Sequence, residues 1–185
     1  MKLLPTKLEE KKLSYYLGKS KDLSTEKFDK KLRIAILNSF TINGLEETLR
    51  VKCADEKIQC ISHVGGYNQY IQEILDENSN LYSFKPDLTF SILDVRTIFG
   101  ENYFFSYDIS VEKRKEFVKN KSNELINLIK SFIKKSNSKL FSVMVWFGLG
   151  LPTICFIICV KAPEISIARK KNSECVFNLL QKLSY

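Results

Sequence analysis

Three short apolar runs, each closed by polar residues and each leading into a stretch of helical spacing, restrict this chain more than any other feature. In the first, Leu32, Ile34, Ala35, Ile36 and Leu37 are nearly continuous and are bounded by Asn38 and Ser39. That is the pattern of a strand buried on both faces. A helix is expected from about Asn43 to Asp55, with Leu45, Leu49 and Val51 at helical spacing. Lys57–Val64 reads as a second strand ended by Gly65 and Gly66, and Tyr67–Leu75 as a short amphipathic helix. Asp76–Lys85 is polar and turn-rich, and Pro86 restarts the chain in extended form. Asp87–Asp94 is the third strand, and Val111–Lys135 the clearest helix, apolar on one face and Lys/Glu-rich on the other. Strand and helix alternate as in βαβ units, so the expected fold is α/β with a parallel sheet and right-handed crossovers. Met1–Lys31 is expected to be a helical N-terminal arm, with "DLST" (Asp22–Thr25) capping a second short helix through Lys31.

With 185 residues the chain has room for one ordinary domain. Its 44% hydrophobic and 27% charged content are globular, not disordered. Lys and Arg number 29 against 21 Asp and Glu, a net charge of +8. The lysines are scattered through Lys7–Lys31, Lys113–Lys139 and Lys161–Lys171 with few aromatics among them, which suits a solvated surface and not a nucleic-acid interface. Cys53 and Cys60 are seven apart, Cys155 and Cys159 lie in an apolar run, Cys175 stands alone, and His63 is the single histidine. None of these spacings fits a zinc site, so no metal centre is expected. An odd cysteine count without a secretory signal points to a reducing, cytoplasmic setting.

Ligands of open α/β sheets bind beyond the carboxyl ends of the strands. Three polar loops fall there: Asn38–Ser39–Phe40–Thr41, His63–Gly65–Gly66–Tyr67–Asn68–Gln69 and Asp94–Arg96–Thr97. "RIAILNSFTINGLEETLRVKCADEKIQC" and "GGYNQYIQEILDENSNLYSFKPDLTFSILDVRTIFGE" carry these loops. Together they resemble the N-terminal domain of FkbH-like proteins, haloacid-dehalogenase-type phosphatases of subfamily IIIC. The most specific part runs from Gly66 to Asp87, and the resemblance spans residues 32–139. It implies a three-layer SGNH-hydrolase-like (flavodoxin-like) α/β domain, normally followed by a haloacid-dehalogenase domain. Some family members load a glyceryl unit from 1,3-bisphosphoglycerate onto an acyl carrier protein.

The resemblance places Ser39 at the SGNH nucleophile turn, with Thr41 shortly after it. A nucleophilic serine needs a base and an orienting third group. The family's Asp-x-x-His block is missing, no Asn follows the third strand, and His63 is the sole histidine to act as base. Ser39 and His63 are therefore weak catalytic candidates, and a turn-forming serine is the plainer reading. Asn38, Ser39, Thr41, Gly66, Tyr67, Asn68, Gln69 and Asp94 are candidates for ligand binding or domain docking. The phosphatase motif Asp-x-Asp-x-Thr is absent from the sequence, and Arg96 stands two residues after Asp94. No cofactor is expected in this chain, and Mg²⁺ belongs to the missing phosphatase domain. The expected function is that of a truncated or stand-alone N-terminal domain, catalytically incomplete, with a recognition or docking role. Its expected partners are an acyl carrier protein or a separately encoded phosphatase domain. The rival readings are a serine esterase using Ser39 and a membrane-tethered adaptor.

The tether would be Leu140–Val160, 21 uncharged residues flanked by Lys139 and Lys161. As a helix they would span about 30 Å, the thickness of a bilayer core. Two other readings of 140–185 remain open: a frame-shifted tail, or two further strands, Leu140–Phe147 and Ile154–Val160, parted by "GLGLP". The expected organisation is thus a helical arm (1–31), an α/β domain (32–139) and an atypical C-terminal segment (140–185). If the tether holds, the folded part lies on the cytoplasmic side of a membrane.

Overall fold

The computed structural model describes residues 11–23, 26–104, 109–145, 154–161 and 164–171. In chain order the elements are α1 (Leu13–Asp22), β1 (Lys30–Asn38), α2 (Leu45–Asp55), β2 (Ile58–Val64), α3 (Tyr70–Leu75) and α4 (Asn80–Phe84). There follow β3 (Leu88–Asp94), α5 (Val95–Phe99), a 3-10 turn (Gly100–Phe104), α6 (Val111–Lys135), β4 (Lys139–Val145), β5 (Ile154–Lys161) and β6 (Glu164–Lys171). The sheet order is β2-β1-β3-β4-β5-β6. This α/β fold begins with the strand order of flavodoxin-like three-layer proteins.

Continuous apolar sequence makes the middle of this sheet. Ile34, Ala35, Ile36 and Leu37 are each 0% exposed, as both faces of a central parallel strand must be. β1 pairs with β3 in parallel from Ile34↔Leu88 to Asn38↔Ile92, and β3 with β4 from Leu88↔Lys139 to Asp94↔Val145. The expected parallel sheet is found in β1, β3 and β4, and the pairing changes beyond that point. β4–β5 and β5–β6 are antiparallel, joined by connections too short for a crossover helix.

The run once open to a membrane reading is therefore strand where it is described. Residues 139–145 and 154–161 are paired from Leu140↔Val160 to Val145↔Cys155, and residues 146–153 lie outside the described residues. No helix among the described residues is long and apolar enough to cross a membrane. Other expectations shift locally. The helix foreseen through Lys31 is not formed, because β1 already begins at Lys30; the arm's described helix is α1, and residues 1–10 lie outside the described residues. α3 starts at Tyr70 and not Tyr67, because Asn68 takes a positive φ of 54°. The segment foreseen as a turn before Pro86 contains α4, whose Leu81 is fully buried.

The chain divides into two compact units. One holds residues up to 32 and 42–61; in it α1 and α2 bury Tyr16, Leu49 and Val51, and Lys19 Nζ meets Asp55 Oδ1 at 2.7 Å. The other holds residues 33–41 and 62 onward. Its core sets Ala35, Leu37 and Leu93 from the sheet with Tyr70 and Ile74 of α3 and Phe132 of α6. Tyr82 stacks on Phe132 at 6.3 Å between centroids. Its Oη donates to the Ile74 carbonyl at 2.7 Å, which satisfies the polar end of a largely apolar contact.

Candidate functional site

In a sheet of this order the connections turn opposite ways from β1 and β3, which opens a crevice at their carboxyl ends. Ser39, directly after β1, is 0% exposed. Its Oγ accepts the Asp94 backbone N–H at 2.7 Å, and its own N–H donates to the Ile92 carbonyl at 3.1 Å. The serine thus fastens the end of β1 to the end of β3 across the crevice floor.

Asp94 is also buried. Its Oδ1 caps α5 by accepting the Arg96 N–H at 2.9 Å, and its Oδ2 accepts Arg96 Nε at 2.9 Å and Nη2 at 2.6 Å. This fork-to-carboxylate geometry is the strong form of an ion pair. The hydrogen bond from Arg96 to Asp94 raises the already high pKa of the guanidinium. Both carboxylate oxygens of Asp94 thus accept hydrogen bonds from Arg96. Among the described residues no group of three His, Cys, Asp or Glu converges as a metal site.

Asn38 donates from Nδ2 to the Phe40 carbonyl at 2.7 Å, and its own carbonyl accepts the Asn68 N–H at 3.1 Å. Its Oδ1 is buried and has no hydrogen-bond partner among the described residues. Thr41 is exposed. In the loop after β2, Gly65 N–H donates to the Ile36 carbonyl at 2.8 Å, and Gln69 N–H to the Gly66 carbonyl at 3.1 Å. A Cβ at Gly66 would run into the Gln69 side chain. Tyr67 is 67% exposed, whereas Tyr70 is buried. His63 sits against the Phe84 ring at 5.5 Å, with Nε2 3.8 Å from Glu73 Oε2. No hydrogen bond joins His63 to Ser39 among the described residues, so the two weak catalytic candidates are not assembled as nucleophile and base.

Sequence reasoning missed a groove of about 620 Å³ beside this crevice. Ile71 and Leu75 of α3 line one wall and Leu125 and Leu128 of α6 another, with Asn68 from the loop after β2 and Thr97 from α5. Ile71 is 46% and Leu75 53% exposed, whereas Tyr70 and Ile74 of the same helix are buried. The signal was in "YIQEIL": four of six residues are apolar, a stripe wider than one buried face of a short helix requires.

The chain matches no protein-family profile and no curated protein. In fold it is similar to a crystal structure of the N-terminal part of the protein BF1531 from Bacteroides fragilis, which contains a phosphatase domain complexed with Mg. The TM-score is 0.58 and the identity 12%, over 74% of this chain and 34% of that one. The likeness is one of fold, and this chain spans about a third of the length of that structure.

Proposed function

We propose that this chain is a recognition domain of the FkbH-like type that docks a haloacid-dehalogenase-type phosphatase domain and does no phosphoryl or acyl chemistry of its own. The observation that carries the reading is a contrast between two neighbouring places. At the crevice, Ser39 and Asp94 are buried and engaged with each other and with Arg96. Beside it, the groove of α3 and α6 presents Ile71 and Leu75 to solvent. The fold neighbour is a longer chain that contains a phosphatase domain, and the Asp-x-Asp motif such a domain would need is absent from this sequence. A phosphatase domain is therefore the occupant that best suits the groove.

The test supplies a separately expressed haloacid-dehalogenase domain and measures binding by calorimetry. A complex should form, and Ile71→Glu or Leu75→Glu should weaken it by about tenfold or more, as a charge in a desolvated contact does. Absence of a complex, or a complex indifferent to both substitutions, overturns the reading. A serine-reactive phosphonate should leave Ser39 unlabelled in the chain alone; a label there brings the esterase reading to the front. A second partner is favoured by the exposed Lys115, Lys119 and Lys130 of α6. Their charge suits an acidic acyl carrier protein, and binding that weakens steeply with salt would mark it.

A further inference from the structure

The apolar stripe of α6 does not stop where the core does. Phe132 is fully buried, and Leu125, seven residues earlier, is half-buried. At the same interval Val118 and Val111 are 40% and 57% exposed. A repeat of seven is the interval at which one helix presents its side chains to another. The track from Val111 to Leu128 is about 26 Å long, whereas the six residues of α3 cover about 9 Å, so α3 walls only part of it. The track is also basic. α6 carries eight Lys and Arg against three Glu, and Lys121 holds Glu124 at 2.7 Å. Arg114, Lys115 and Lys121 stand three or four residues from the exposed valines, on the same side of the helix.

We propose, building on the phosphatase-domain docking above, that the docking element is an amphipathic helix of about five turns, with Asp and Glu flanking its apolar stripe. The seven-residue interval of the track matches the side-chain spacing of such a helix. Acidic flanks meet Arg114, Lys115 and Lys121, whereas a second copy of this chain would bring its own basic α6 against like charge. A basic amphipathic helix lying alone would suit an anionic bilayer. Here Ile71 and Leu75 stand opposite Leu125 and Leu128 and make the site concave, and an apolar groove of that form takes the apolar face of a helix.

The test titrates the full chain with three synthetic peptides of about 18 residues, each held helical by a lactam bridge on its outer face. The first has Leu at heptad positions with Glu beside them; the second replaces the Glu by Lys, and the third replaces the Leu by Ser. The first should bind about tenfold or more tightly than either of the others, and Val118→Glu or Val111→Glu should weaken it by about tenfold. Both valines are exposed, so neither substitution disturbs the core. Equal affinity for the first and second peptides, or for the first and third, overturns the inference. So does binding that is indifferent to both valine substitutions. Attachment of the chain to vesicles of phosphatidylcholine and phosphatidylserine, abolished by Val118→Glu, would put a membrane in the groove and overturn it as well. The phosphatase-domain titration separates the helix from the docking. A complex weakened by Ile71→Glu but not by Val118→Glu keeps the docking and removes the helix, whereas no complex at all overturns the docking and with it the identity of the partner.

Discussion

Ser39 holds its place in this chain by accepting a hydrogen bond. Its oxygen is the partner of a backbone amide in a place with no exposure, and an unpaired buried amide is among the costlier single defects. Ser39→Ala should therefore lower unfolding free energy by about 1–3 kcal/mol, read as a reduced urea midpoint with unchanged slope. Tyr82 makes a second prediction at this scale. Burial, with the nearby Glu77 carboxylate, pushes its phenol from 10.0 up to about 12. The folded state thus holds the phenolic proton more tightly than the unfolded one. That contribution to stability is fully present below pH 10 and is lost as pH rises through about 12. Urea midpoints taken from pH 8 to pH 12 should fall more steeply for the wild type than for Tyr82→Phe, which has no proton there to lose.

Among the elements, α2 depends on a glycine that nothing else replaces. Gly44 precedes its first turn with a φ of 81°, and a Cβ there would lie 2.5 Å from Leu13 Cδ1 of α1. Gly44→Ala should cost about 1–2 kcal/mol through the left-handed backbone alone. Displacement of Leu13 should add to that loss, so α-helical signal should melt at a lower temperature. The same elements show where sequence was sufficient. Val111–Lys135 was legible to the residue, because Ser110 caps the first turn and the apolar stripe keeps its period for the whole helix. β1 was legible because its buried half is continuously apolar, and β3 because Leu88, Phe90, Ile92 and Leu93 keep it largely so despite the buried Thr89 and Ser91. α4 was not: Asn80–Phe84 is one turn of helix inside a polar segment, held by Tyr82 and Leu81 burying in a core that is distant in sequence. The groove was hidden for a related reason. Its walls come from α3 and α6, about fifty residues apart, and no local pattern says that they meet.

At the scale of the whole sheet, strand existence was easier to read than strand direction. Apolar runs of the right length mark β4 and β5, but periodicity carries no sign of parallel or antiparallel pairing; the short connections do. Direction matters because it decides what completes the sheet. β4 has β3 on one side and β5 on the other, and β5 in turn has β6. A chain ending after Val145 would leave β4 with a bare row of backbone donors and acceptors on an apolar strand, a template for edge-to-edge association. Such a truncation should lower the urea midpoint, and it should reduce the slope of the transition as well, since less surface is exposed on unfolding when two strands are gone. It should also shift the chain toward aggregates in sedimentation. A tail foreign to the fold makes the opposite demand: without it, midpoint, slope and sedimentation would all stay where they were. The two outcomes differ in three independent readouts, so even a modest loss of stability would distinguish a sheet of six strands from one that ends at β4.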